Sequence, residues 1–143
     1  MYSDSTGGLF VKDIAWDEVL SVGNEEIDED HHRLVDLFNM LNHSVSEGKD
    51  PEYLAALLDE LINCTVWHFS HEERLMLQYG YPEYAEHKEE HQALIESVKK
   101  LRDKILKEGK LVASEKDLEF LETWLTGHIL GYDMKLGSYL ATV

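Results

Sequence analysis

The sequence predicts an all-α protein, an up-down-up-down four-helix bundle preceded by an irregular N-terminal arm. Three observations carry this. Apolar residues recur at spacings of three and four along four long stretches, the period of a helix with one buried face. Short stop-and-turn signals separate the stretches: Gly48 to Pro51, Gly80-Tyr81-Pro82 and Gly109. Only two Pro and nine Gly occur in 143 residues, too few for a turn-rich β fold. At that length, with 43% hydrophobic residues, a single domain buries a core without disulfides.

Residues 1–24 form the arm. Met1 to Gly8 are small and polar, and Leu9 to Val22 hold Phe10, Ile14, Trp16, Val19 and Leu20 without a clean period. This reads as an irregular segment lying across the core, anchored by Trp16, and Gly23-Asn24 ends it. The first helix is expected over 28–47, with Asp28 as N-cap, Leu34, Leu37, Phe38, Leu41 and Val45 inward, and His31 heading that stripe. The second spans 51–79, opened by Asp50-Pro51. Its inner face runs Leu54, Leu57, Leu58, Leu61, Ile62, Thr65, His68, Glu72, Leu75, Met76 and Tyr79.

The third helix is expected over 83–108, with His87, His91, Leu94, Ile95, Val98, Leu101 and Ile105 inward. The fourth, over 115–136, opens with a capping signal at Ser114 to Asp117 and carries Leu118, Leu121, Trp124, Leu125, His128 and Ile129.

Composition narrows the function. A formal charge of −16 argues against nucleic acid and against an anionic membrane surface, and it favours a soluble monomer. No stretch is long and apolar enough to insert in a membrane, and the start has no secretory pattern. The single Cys64 asks for no oxidising compartment, so the expected location is cytoplasmic. Eight His in so acidic a chain are the oddity, and His is the commonest metal ligand among side chains.

The inward polar groups are His31 on the first helix, His68 and Glu72 on the second, His87 and His91 on the third, and His128 on the fourth. His68 and Glu72, like His87 and His91, stand four apart, so each pair shares one helix face. Asp133 lies five residues after His128, about 140° round an ideal helix. It joins the same site only if the helix turns there or its carboxylate reaches across, and Gly127 and Gly131 would permit a distortion. Seven ligands exceed one structural zinc site. Five imidazoles and two carboxylates suit two six-coordinate first-row ions, iron or manganese, with the carboxylates bridging and one position left open.

The remaining histidines read as non-ligands: His32 points aside, His43 sits at a helix C-terminus, and His71 competes with Glu72 but breaks the four-residue spacing. Phe38, Phe69, Trp124 and the leucine stripes read as core, and Cys64 as a small core or boundary residue. The acidic runs Glu25 to Asp30 and Glu86 to Glu90 read as solvated faces, with Asp30 turned away from the site.

The four motifs together resemble the hemerythrins, specifically the bacterial single-domain members. They are Ile27-Asp28-Glu29-Asp30-His31, His68-Phe69-Ser70-His71-Glu72-Glu73, His87-Lys88-Glu89-Glu90-His91 and Trp124 to Asp133. One departure is Asp30, where the family commonly has Gln. The resemblance implies a non-haem di-iron centre, oxo- or hydroxo-bridged, that binds O2 reversibly. By matching position, His87, His91 and His128 would hold one iron, His31 and His68 the other, and Glu72 and Asp133 would bridge them.

The function expected is an O2 carrier, store or deliverer rather than an enzyme, with an O2-using enzyme or a reductase as partner. Two alternatives stand beside it: an O2, NO or redox sensor domain, and a di-iron oxidase or peroxidase. The latter is disfavoured because ferritin-like sites use Glu-x-x-His pairs and more carboxylate.

Overall fold

The computed structural model describes residues 13–16, 20–107 and 115–143. The side chains of 105–107 and 115, and with them Ile105, lie outside this description, as do Phe10, Val19, Gly109 and the capping signal at Ser114. Helix α1 spans Glu25–Ser46, α2 Pro51–Gln78, α3 Tyr84–Lys107 and α4 Glu115–His128. A π-helical turn, Ile129–Asp133, carries α4 straight into α5, Met134–Leu140. Helix α1 packs on α2 and α4, and α3 on the same two, so the four rods close into a bundle around one core. Among the described residues there is no strand.

Sequence chemistry accounts for the helix ends, with one correction. The first helix begins three residues before the expected point: Asn24, not Asp28, is the N-cap, its Oδ1 accepting the Ile27 N–H at 3.1 Å. Asp28 instead accepts from Ser21 Oγ at 2.5 Å and from the Val22 N–H at 2.8 Å, so it ties the arm to the first turn. Both residues are good capping types, and the geometry of the incoming arm decides between them. At the other end of α2, Gly80 takes φ +64° and lets the Tyr81 N–H reach back to the Met76 carbonyl at 2.9 Å. This is the left-handed close that Gly allows cheaply.

The core runs the length of the bundle through Leu34, Phe38, Leu41, Leu58, Leu61, Met76, Val98, Leu118, Leu121, Ile129 and Leu136. Two expectations about packing need correcting. Tyr79 is exposed, because α2 ends at Gln78 before another inward position is reached. Trp16 is only half-buried, its ring 4.6 Å from that of His32; Ile14, Leu20 and Val22 are the buried anchors of the arm. Asn39 fixes Ile14 twice, accepting its N–H at 2.8 Å and donating to its carbonyl at 2.9 Å.

The C-terminal helix docks where no side chain would fit. A Cβ on Gly137 would lie 2.0 Å from the Val22 carbonyl oxygen, so only glycine permits this approach. Tyr139 then donates its hydroxyl to the Tyr79 carbonyl at 2.7 Å, fastening α5 to the α2–α3 turn.

Candidate metal centre

Each helix delivers its polar groups at positions its apolar stripe would otherwise fill. His31 comes from α1, His68 and Glu72 from successive turns of α2, His87 and His91 from successive turns of α3, and His128 from the end of α4. Asp133 arrives through the π turn, in which the wider i to i+5 bonding lets a residue five positions on return towards the same face. The fourth expected helix, 115–136, is thus interrupted at 129–133 and resumes to Leu140. All seven side chains are buried, His128 at 6% exposure and the other six at 1% or less.

The two carboxylates divide their oxygens between two groups of rings. Glu72 Oε1 lies 3.0 Å from His91 Nε2 and 3.2 Å from His87 Nε2, and Asp133 Oδ1 lies 3.0 Å from both His87 Nε2 and His128 Nε2. The opposite oxygens face the other way. Glu72 Oε2 is 2.9 Å from His68 Nε2, and Asp133 Oδ2 is 2.7 Å from His31 Nε2. Two overlapping clusters result, one of three imidazoles and one of two, each with donor atoms within 4.8 Å of one another and both sharing Glu72 and Asp133.

Hydrogen bonding alone does not satisfy this arrangement. His31 Nε2, His68 Nε2, His128 Nε2, Glu72 Oε2 and Asp133 Oδ2 are buried without a hydrogen-bond partner among the described residues. Even the 2.7 Å His31–Asp133 contact is misaligned for one. Buried polar atoms are rarely left so, and lone pairs converging on one point are what a cation takes up. The residues therefore fit a pair of metal ions.

The charges tell the same story. Burial opposes charge on both carboxylates, yet Glu72 and Asp133 are held well below the ordinary carboxylate range by the surrounding imidazoles. The carboxylates in turn raise His31, His68 and His87 against the same burial, and push His128 up to about 10. Without a metal, protons supply the positive charge that two fully buried carboxylates require.

Two residues matter here that the sequence reading set aside or passed over. Asp30, expected on a solvated face turned away from the site, is buried: its Oδ2 lies 2.9 Å from His68 Nδ1 and 2.6 Å from His71 Nδ1. Burial works against its charge, and the two imidazoles overcome it and lower its pKa. Asp30 stands in the second turn of α1 on the face that meets α2, where His68 and His71 reach it. Glu73, whose only mark in the sequence is its place next to Glu72, has its Oε2 2.9 Å from His91 Nδ1. The signal available for both was adjacency to a ligand on a neighbouring helix, since metal-binding imidazoles commonly donate their second N–H to a carboxylate. His71 stands outside both clusters, between Asp30 and Glu26. His32 and His43 are surface groups, paired with Asp36 and Asp13.

A small cavity opens between the two clusters, touching both histidines of one and a single histidine of the other. It is lined by His31, His68 and His128 on one side and by Leu34, Phe69, Trp124 and Leu125 among others on the other. The cavity is about 10 Å³, at the lower limit for a single water-sized molecule. Phe69 also stacks on His91, with centroids 3.8 Å apart and planes at 6°. Trp124 closes the outer wall by donating its indole N–H to the Leu94 carbonyl at 3.1 Å.

Fold and site together define a helical-bundle protein with a buried histidine–carboxylate cluster that could hold metal. The sequence model described as the hemerythrin HHE cation binding domain matches residues 22–140, and the chain belongs to the hemerythrin family. It is 35% identical over 121 residues to a bacteriohemerythrin of Pseudomonas paraeruginosa, covering 84% of this chain and 76% of that one. It is 32% identical over 114 residues to a bacteriohemerythrin of Methylococcus capsulatus (80% and 86%). A hemerythrin-like protein of Naegleria gruberi matches at 31% over 120 residues (84% and 87%).

Proposed function

We propose that His31, His68, Glu72, His87, His91, His128 and Asp133 hold two iron ions, and that the protein binds O2 reversibly there as a carrier, store or deliverer. Held there as iron(II), the pair would supply the electrons that O2 draws on when it binds and gives back when it leaves. His87, His91 and His128 serve one ion and His31 and His68 the other, with both carboxylates shared. The observation that carries this reading is the asymmetry of the clusters, three imidazoles against two, with the cavity touching both imidazoles of the poorer cluster and only His128 of the richer one. That side keeps a position for a diatomic ligand.

Leu34, Phe69, Trp124, Leu125 and Ile129 keep bulk water from the site, which favours release of O2 over irreversible oxidation. The histidine-rich donor set supports binding rather than turnover, so the protein is read as a non-enzyme. A cytoplasmic, monomeric protein served by a reductase, or serving an O2-using enzyme, completes the proposal. No helix among the described residues is long and apolar enough to cross a membrane.

The test is an optical titration of the reduced, iron-loaded protein with O2, followed by argon purging. A visible charge-transfer band that grows with O2 and fades on purging is the expected result. Irreversible oxidation on the first exposure would favour an oxidase or redox sensor instead.

A further inference from the structure

We infer that Asp30 is a positioning residue that sets the ligand strength of His68, and hence of the two-histidine half of the centre, while Glu73 does the same through His91 for the three-histidine half. The inference rests on the metal-centre reading above. A carboxylate only accepts hydrogen bonds, so the 2.9 Å contact between Asp30 Oδ2 and His68 Nδ1 places the ring hydrogen on Nδ1. In the neutral ring that a metal ion binds, that leaves the Nε2 lone pair directed at the centre, where Nε2 lies 2.9 Å from Glu72 Oε2. An anionic acceptor at Nδ1 also raises the basicity of Nε2.

Asp30 is itself held in place. The same oxygen accepts from His71 Nδ1 at 2.6 Å, and His71 Nε2 lies 3.0 Å from Glu26 at the surface. On the other side of the centre, Glu73 Oε2 meets His91 Nδ1 at 2.9 Å. By contrast, the Nδ1 atoms of His31, His87 and His128 are buried without a hydrogen-bond partner among the described residues. Each cluster therefore contains one ring strengthened by a carboxylate. The two carboxylates stand on different helices and touch different halves, so each half can be weakened alone.

The experiment is a stepwise titration of the metal-free protein with cobalt(II), read by calorimetry and by the visible bands of the bound ion. Wild type should take two ions in two resolved steps. Asp30→Asn keeps the shape and an acceptor oxygen but drops the charge; it should weaken one step by about 10- to 100-fold and leave the other unchanged. Glu73→Gln should weaken the other step by a similar factor. Asp30→Glu, which restores a carboxylate, should recover part of the loss.

Metal-free melting temperature and helix content separate this from general damage. Should Asp30→Asn fail to fold, His71→Ala removes the second hold on Asp30 and should weaken the same step, by less. Steps unchanged, or both weakened equally, in a folded variant would overturn the inference while the metal centre stands. A wild type that takes no cobalt would overturn the metal-centre reading and this inference with it.

Discussion

Asp133 Oδ1 lies 3.0 Å from His128 Nε2, although the two residues are five apart on what would otherwise be one continuous helix. In an α-helix they would diverge by about 140°. The π turn at Ile129–Asp133 removes that divergence and carries the second shared carboxylate to the centre.

The turn does not depend on glycine. Gly127 and Gly131 have no left-handed backbone, and a Cβ at either would meet nothing within 4 Å. Gly131→Ala should therefore keep the metal content of wild type and gain up to about 1 kcal/mol of stability, since Ala loses less entropy in a helix. Denaturant unfolding and metal analysis check this together; a loss of metal would mean that the turn needs glycine after all.

Asp133→Ala removes the carboxylate that faces His87 and His128 with one oxygen and His31 with the other. Iron should fall below two per chain and melting temperature should drop, because bound metal stabilises the native state. His71→Ala, outside both clusters, should keep two. Metal analysis of the purified variants decides, and a reversed pattern would mean that the wrong residues of α2 and the π turn have been taken as ligands.

How legible was this centre in the sequence? The five imidazoles and Glu72 stand at helical spacing on stripes of leucine, and that pattern alone brings them inward. Asp133 was legible only as a condition, because no residue in Ile129 to Asp133 announces a π turn. Asp30 and Glu73 were misjudged or passed over for a different reason. Helical phase says which face a residue takes, whereas their role depends on how α1 approaches α2 and how α2 approaches α3. The Asn24 cap was lost in the same way, since several residues from Asn24 to Asp30 are acceptable caps and the arm selects among them.

The pH dependence of the metal-free protein follows from the shifted groups. His31, His68, His87 and His128 are raised above the ordinary 6.5, so the stability they contribute is complete below that value and is lost as pH climbs through the raised ones, about 10 for His128. Glu72 and Asp133 are lowered from 4.5 and 3.8, so their contribution is present above those values and fades as pH falls through the lowered ones. The metal-free melting temperature should therefore be highest between about 4.5 and 6.5 and decline towards pH 10. Metal replaces the protons, so the loaded protein should lack the alkaline decline. Parallel curves for the two forms would contradict this charge assignment.

Leu125 lines the cavity and is buried at 4% exposure. Leu125→Ala should cost about 2–5 kcal/mol in denaturant unfolding, the usual range for such a truncation. By admitting water, it should also shorten the life of the O2-bound form, followed as decay of its visible band. An unchanged lifetime would mean that the leucine packs the core without guarding the site.

The most direct test of the whole account is a simultaneous count of iron and O2 in anaerobically loaded protein. Two irons per chain and one O2 per pair, released on purging, is the result the shared Glu72 and Asp133 carboxylates predict. One iron per chain, or O2 uptake unaffected by removing iron, would contradict it.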